Sequence, residues 1–386
     1  MKGVAFVNHL RLGSASSFRQ AGLAKYLDRM GLRGEFLGLK GRTNAKAIEA
    51  MEEWRCFERI SYWNEPLVNE FRENLALFRR IASENTVLHV NRANPYTATI
   101  ASLGKSGRKL VVDMEDWDGF GGYSSYASLY GARGAVLTFY ENAFPRLGDL
   151  VVTVSHLLTT RMAQLGVPKE KLILIPNGYD EDLFSPSTSG DVVREEYGLG
   201  DFPVVIYMST YWKFEIGLHE VALAAFKEVT RQIPNARLLM VGGGNLPVAS
   251  LIAERKLEDR VIPTGFVDRR TVPKLIASAD VALHVISDHP FHAASSPMVM
   301  SEYMAMRKPM VAPRIGELAY ALTGGAGWLV NSARPELLAG GVVALLRDET
   351  KRREIGLAAE KKAREEYSYR SLAAKLKAAY LRMTEG

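Results

Sequence analysis

Short Val/Ile/Leu-rich runs alternating with amphipathic stretches predict an α/β protein of two Rossmann-like, doubly wound parallel-sheet domains, and three observations carry that expectation. The runs are continuously apolar, as strands buried on both faces require. They come in two series, residues 3–8, 86–91, 109–113, 149–154 and 171–175, then 204–208, 237–241, 261–263, 281–285, 310–312 and 328–330. Amphipathic helical patterns separate them, as parallel crossovers demand. Between the series the chain reads Ile175-Pro-Asn-Gly-Tyr-Asp-Glu-Asp-Leu-Phe184. Pro176 lacks a donor, Asn177-Gly178 is turn chemistry, and Asp180 to Asp182 cannot continue a buried strand, so one half ends there and another begins.

Length and composition agree. At 386 residues the chain has material for two cores, and 47% hydrophobic with 24% charged residues is ordinary for a globular protein. No uncharged apolar stretch is long enough to span a bilayer, and the first apolar run is too short for a secretory signal, so a cytoplasmic protein is expected. Cys56 stands alone, which excludes an intramolecular disulfide and a cysteine-rich zinc site. The polar stretch Ser185-Pro-Ser-Thr-Ser-Gly190 sets the boundary, giving domains 1–184 and 185–368. Residues 369–386 have the apolar spacing of an amphipathic helix at Leu372, Leu376, Ala379 and Tyr380. No fixed-period repeat argues for a solenoid.

The formal charge of +6 is unevenly placed: nine cations between Lys2 and Lys46 face only Asp28 and Glu35. Such a stretch can hold anionic lipid headgroups, nucleic acid or an acidic substrate, or simply be a solvated face. Without interleaved stacking aromatics or a recognised motif, no nucleic-acid partner is expected. Peripheral contact with an anionic membrane stays open.

The second informative segment is Ser295-Ser-Pro-Met-Val-Met-Ser-Glu-Tyr-Met-Ala305, followed by Met-Arg-Lys-Pro-Met-Val311. It reads as a capped helix and then a strand. Ser296 is placed to cap, Pro297 to take the first helical position, and the amides of Met298 and Val299 to meet a diphosphate at the positive end of the helix dipole. Glu302, four residues after Met298, falls on the same face, where a carboxylate accepts both hydroxyls of a ribose. The plainer alternative is a Ser-Pro helix start with a surface acid.

Residues 175–184 and 295–311 together resemble the nucleotide-sugar-dependent glycosyltransferases of fold type B, in the large retaining group one family. The resemblance covers most of the chain and is weakest between residues 35 and 85. It implies two domains facing across a cleft, the C-terminal one holding the donor and the N-terminal one admitting the acceptor, with the last helix packing back on the first domain. It also implies that Glu302 binds the nucleotide ribose, with Ser295, Ser296, Pro297, Met298 and Val299 around the donor. The family's sugar-contacting acid, eight positions before that Glu, is Ala294 here; Asp288, His289 or His292 could replace it. Val299 stands where the family has Lys. Met208-Ser209 and Ile216-Gly217 stand where the family carries its two phosphate-binding cations, leaving Lys213 or Arg314 to fill in. Gly13, in Gly13-Ser-Ala-Ser-Ser17, occupies the place of the family's glycine loop, and Asp116 that of a His or Asp contacting the transferred sugar. Glu141 matches a recurring family Glu.

Other features complete the expectation. Gly242-Gly-Gly244 lets a ligand approach the backbone, but the dinucleotide spacing is missing, which argues against a nicotinamide enzyme. The run Asp113-Met-Glu-Asp-Trp-Asp118 holds four carboxylates that cannot all be buried and charged without partners; solvated loop acids are the alternative. His89 reads as a hydrogen-bonded core residue, and His289 with His292 is too thin for a metal site. No metal and no cofactor beyond the nucleotide sugar are expected. The function expected is glycosyl transfer to a saccharide or lipid-linked glycan acceptor; the alternative, motivated by Ser209, Ile216 and Ala294, is a non-catalytic nucleotide-sugar-binding scaffold.

Overall fold

A computed structural model of the chain describes residues 3–8, 15–39, 57–63, 71–104, 107–128, 131–210, 213–244 and 246–385. Gly13, Cys56 and five of the nine N-terminal cations lie outside these residues. The chain divides into two compact units, Met1–Gly178 with His289–Ser296 and Tyr369–Gly386, and Tyr179–Asp288 with Pro297–Ser368.

The first unit holds β1 (Val4–Val7), β2 (Gly34–Leu39), β3 (Phe57–Trp63), β4 (Val87–Asn91), β5 (Lys109–Met114), β6 (Leu150–Thr153) and β7 (Leu172–Leu174). All pair in parallel, in the order β3-β2-β1-β4-β5-β6-β7. β1, β4 and β6 are buried throughout, which is why their sequences are predominantly apolar. One face packs against the helices Ala15–Arg29 and Tyr369–Glu385 through Leu23, Leu27, Leu372 and Leu376. The other packs against Phe78, Ile81, Ile100, Phe144 and Met162. β2 and β3 are absent from the sequence expectation for a physical reason. Glu35 and Gly38 interrupt the apolar run of β2, a Cβ on Gly38 standing 2.6 Å from the Phe36 ring, and β3 carries Glu58 and Arg59 at the sheet edge.

The second unit holds β8 (Val204–Met208), β9 (Arg237–Val241), β10 (Val261–Gly265), β11 (Val281–Leu283), β12 (Met310–Pro313) and β13 (Trp328–Val330). Their order is β10-β9-β8-β11-β12-β13, again all parallel. Its two faces are covered by separate apolar clusters, one around Leu275, Met300, Tyr303 and Leu318, the other around Phe226, Leu251, Leu338 and Val342. In each sheet the strand order reverses beside its first strand, between β1 and β4 and between β8 and β11. Open α/β sheets receive ligands at that switch point, outside the carboxyl ends of the strands.

Candidate functional site

At the switch point of the first sheet the strands end in polar residues: Asn8 follows β1, Asn91 closes β4 and Glu115 follows β5. All three are buried. Asn8 Nδ2 donates to Gln20 Oε1 at 3.1 Å, and Asn91 Nδ2 to Glu115 Oε1 at 2.5 Å. Gln20 Nε2 and Asn91 Oδ1 are buried without a hydrogen-bond partner, leaving one unmatched donor and one unmatched acceptor in the same cluster. Burial and the neighbouring charge of Asp113 push the Glu115 carboxyl up to about 7, against the pull of Arg19 and Arg92. The sequence reading passed over Asn8, Gln20 and Asn91. The one signal, for Asn8 and Asn91, is an amide residue at the end of each of two mostly apolar strands.

Beneath this cluster Arg19 is fully buried, so it is not part of a solvated cationic face. Its guanidinium forks onto Asp113, Nε to Oδ2 at 3.1 Å and Nη2 to Oδ1 at 3.3 Å, and donates to the carbonyls of Ile175 and Pro176 at 2.8 Å each and to Asn177 Oδ1 at 3.2 Å. Asp113 accepts from His89 Nε2 at 3.1 Å, and Tyr380 Oη sits 2.5 Å from His89 Nδ1. Burial alone would raise the Asp113 pKa; Arg19 and His89 outweigh it and hold the carboxyl below the ordinary range. His89 is thus a hydrogen-bonded core residue in a polar chain that fixes where the crossover segment leaves the sheet.

Asp113, Glu115 and Asp118 are buried, which corrects the alternative of solvated loop acids. Each has a basic or amide partner, the condition under which burial is tolerated. Asp116 and Asp118 are both paired with Arg92, the latter at 3.0 Å, and Arg92 sits at φ 59°, a left-handed conformation uncommon for a non-glycine residue. Burial pushes the Asp116 carboxyl up to about 6, with Arg92 opposing and Asp118 reinforcing the shift. His292, also buried, acts on the same carboxyl electrostatically, so Asp116 and His292 come together within the first unit. Glu141 takes the Gly119 amide at 2.6 Å and Arg161 Nε at 2.9 Å, a role in holding the loop after β5.

The segment His289–Ser296 belongs to the first unit. His289 caps the short Pro290–Ala294 helix, its Nδ1 accepting from the Phe291 amide at 3.2 Å. Its ring lies 5.0 Å from that of Tyr126, and the His292 ring 4.7 Å from it. Ala294 is fully buried against Val154 and Leu158, and its carbonyl accepts from Ser155 Oγ at 2.6 Å. An acid at that position would be a buried charge in an apolar contact, which accounts for the alanine. Asp288, exposed, closes a run of the second unit.

Ser295 Oγ donates back to the His292 carbonyl at 2.9 Å. Ser296 does not cap the following helix: its Oγ accepts from the Asn177 amide at 3.1 Å and its carbonyl from Asn177 Nδ2 at 2.6 Å. The helix runs Met298–Ala305, and Pro297 occupies the cap in extended conformation with no side-chain cap bond, one position earlier than the sequence pattern places it. Helical geometry still leaves the amides of Met298 and Val299 without intrahelical acceptors.

In the second unit Glu302 is buried, and Arg269 Nη1 lies 3.0 Å from its Oε1, so it is not a surface acid. The Arg269 guanidinium is 5.4 Å from the Phe184 ring. Tyr303 Oη accepts from the Met208 amide at 3.0 Å and pins the end of β8. At the end of β9, Gly242 takes φ 139°, and a Cβ on Gly243 would stand 3.2 Å from that of Phe266; Gly244 is exposed. Phe266, 90% exposed, follows β10 and went unremarked in the sequence. Lys213 opens the Lys213–Glu215 turn, but its side chain lies outside the description. Among the described residues, no group of three His, Cys, Asp or Glu side chains is placed to hold a metal ion.

Two family models match the chain, one described as glycosyl transferases group 1 over residues 202–348 and one as glycosyltransferase family 4 over residues 21–183. A GDP-mannose-dependent alpha-(1-6)-phosphatidylinositol monomannoside mannosyltransferase from Mycolicibacterium smegmatis is 27% identical over 63% of this chain and 65% of its own, just under two thirds. An N-acetyl-alpha-D-glucosaminyl L-malate synthase from Bacillus anthracis is 26% identical over 79% and 80% of the two chains. Among solved structures, Anabaena HepE in complex with UDP and glucose superposes with a TM-score of 0.78 at 19% identity, covering 99% of this chain and 100% of that one. Sucrose-phosphate synthase from Thermosynechococcus elongatus gives 0.75 at 19% identity, covering both chains fully. At that identity the two structures speak to the fold.

Proposed function

The chain belongs to the group 1 glycosyltransferases, and on that premise we propose that it moves a sugar from a UDP- or GDP-linked donor to a saccharide or lipid-linked glycan acceptor, with retention of configuration. The observation that carries this reading is Glu302, a buried carboxylate held by Arg269 on a helix whose first amides have no intrahelical acceptor. In this reading Glu302 accepts the ribose hydroxyls, the Met298 and Val299 amides take the diphosphate, and Phe266 offers its ring to the base. Lys213 and Arg314 supply fixed positive charge where the departing diphosphate gains charge, in place of a metal ion. The first unit receives the acceptor at the Asn8, Gln20, Asn91 and Glu115 cluster, whose unmatched donor and acceptor suit a polyhydroxylated ligand. Asp116 contacts the transferred sugar, with His292 beside it. Relatives support both nucleotides: one is named for GDP-mannose and another is bound to UDP. The lone Cys56 suits a reducing cytoplasm. Nothing in the site favours the scaffold alternative.

A thermal-shift screen of nucleoside diphosphates and their sugars tests the donor reading. One nucleotide at about a hundred times its dissociation constant should add roughly 2.7 kcal/mol of stability. That gain, measured against each variant's own unliganded midpoint, should shrink in Glu302→Gln and more in Glu302→Ala. If no nucleotide stabilises the protein, the donor assignment fails.

A further inference from the structure

We propose that the Ala132–Ala143 helix of the first unit docks the protein onto an anionic lipid surface. The helix is turned inside out relative to an ordinary surface helix. Its only buried residues are Gly134 and Glu141, and Glu141 faces inward to take the Gly119 amide and Arg161. With its one carboxylate pointing in, the apolar positions point out: Ala132, Val136, Phe139 and Ala143 recur on one face, and Phe139 is 66% exposed. Phe120, whose amide donates to Thr138 Oγ1 at 2.8 Å, joins that face, and Leu147 follows it at 59% exposure. Apolar Phe120, Ala135, Phe139 and Ala143, together with Thr138, Asn142 and Arg146, line a shallow depression of about 380 Å³. A contiguous apolar patch of this kind marks an interaction surface.

Charge selects the occupant. Arg133 at the helix start and Arg146 beyond its end are exposed and have no carboxylate partner among the described residues. Between residues 119 and 148 the only carboxylate is the buried Glu141. An apolar face flanked by Arg133 and Arg146 matches acyl chains beneath anionic headgroups. A second copy docking symmetrically through the same face would set like charges against each other. Within the basic N-terminal stretch, Arg19 is not available for such a contact, because it is buried in the Asp113 pair. This inference stands apart from the donor and acceptor assignments.

Co-sedimentation with vesicles of phosphatidylglycerol and phosphatidylcholine, and with phosphatidylcholine alone, tests it. The protein should bind the anionic vesicles and release at high salt. Phe139→Asp should cut the apparent affinity roughly tenfold or more, Phe139→Leu should retain it, and Arg133→Glu should weaken it without altering the thermal midpoint. Binding that survives Phe139→Asp overturns the proposal, as does absence of binding at low salt. Concentration-dependent dimerisation that Phe139→Asp abolishes overturns it in favour of a protein partner.

Discussion

Glu115 shows how one buried side chain makes stability depend on pH. Its carboxyl titrates near 7 in the folded chain, chiefly because burial penalises the charged form, with Asp113 adding repulsion. In the unfolded chain the same group ionises in the ordinary carboxylate range. Between those values the folded state holds the extra proton, so stability falls as pH rises through this window and levels off above about 7. Glu115→Gln keeps an acceptor for Asn91 and removes the titration. Denaturant unfolding from pH 4.5 to 7.5 should therefore show the variant gaining on the wild type by about 3 kcal/mol, the raised carboxyl converted at about 1.4 kcal/mol per pH unit. An unchanged difference across that range would mean Glu115 titrates normally. Arg19 teaches the complementary point. Written in sequence it is one of nine cations; in the fold it is a fork between Asp113 and the crossover carbonyls. Its role was illegible because the partners are 94 and 157 residues away, whereas Glu302 was legible because its place on a helix after Ser-Pro is a local property.

At the scale of elements, the legible features were those set by local chemistry: unbroken apolar strands, the Pro176-Asn-Gly178 exit and the helix after Pro297. The Ser296 cap failed because a more distant partner, Asn177, took its hydroxyl and carbonyl. Close approach between elements was equally hidden. Helix Ala15–Arg29 meets helix Tyr369–Glu385 at Gly22, where a Cβ would stand 2.3 Å from the Tyr369 ring. Gly22→Ala should gain about 1 kcal/mol of helix propensity and still lose stability overall, because displacing a buried ring costs typically 1–3 kcal/mol and forfeits its packing. Combining it with Tyr369→Leu should recover part of the loss. A double-mutant cycle by thermal unfolding checks this, and purely additive effects would show that the two helices do not meet there.

At the scale of the whole molecule, the two-sheet α/β fold was readable because each sheet repeats one rule, parallel strands covered on both faces, whereas the composition of each unit was readable only for the last helix, whose return to the first domain the family resemblance implied. The first unit takes in His289–Ser296, 111 residues beyond Gly178, and is completed by Tyr369–Gly386. The last segment buries Tyr369, Leu372, Leu376 and Tyr380 against the first sheet, and Tyr380 closes the His89–Asp113 chain. At about 1.5–3 kcal/mol per large buried side chain, these four contribute on the order of 6–12 kcal/mol, comparable to the net stability of a domain. Truncation after Ser368 should therefore cost the first unit its cooperative fold and leave the second with its own two apolar faces intact. Hydrogen exchange of the truncated chain should show protection lost in β1, β4 and β5 but kept in β8, β9 and β12. Nucleotide-dependent stabilisation should persist, since Arg269, Glu302 and the Met298–Ala305 helix all belong to the second unit. Protection lost equally from both sheets would show instead that the units fold as one cooperative body, and the packing of the final helix would then govern the donor side as well.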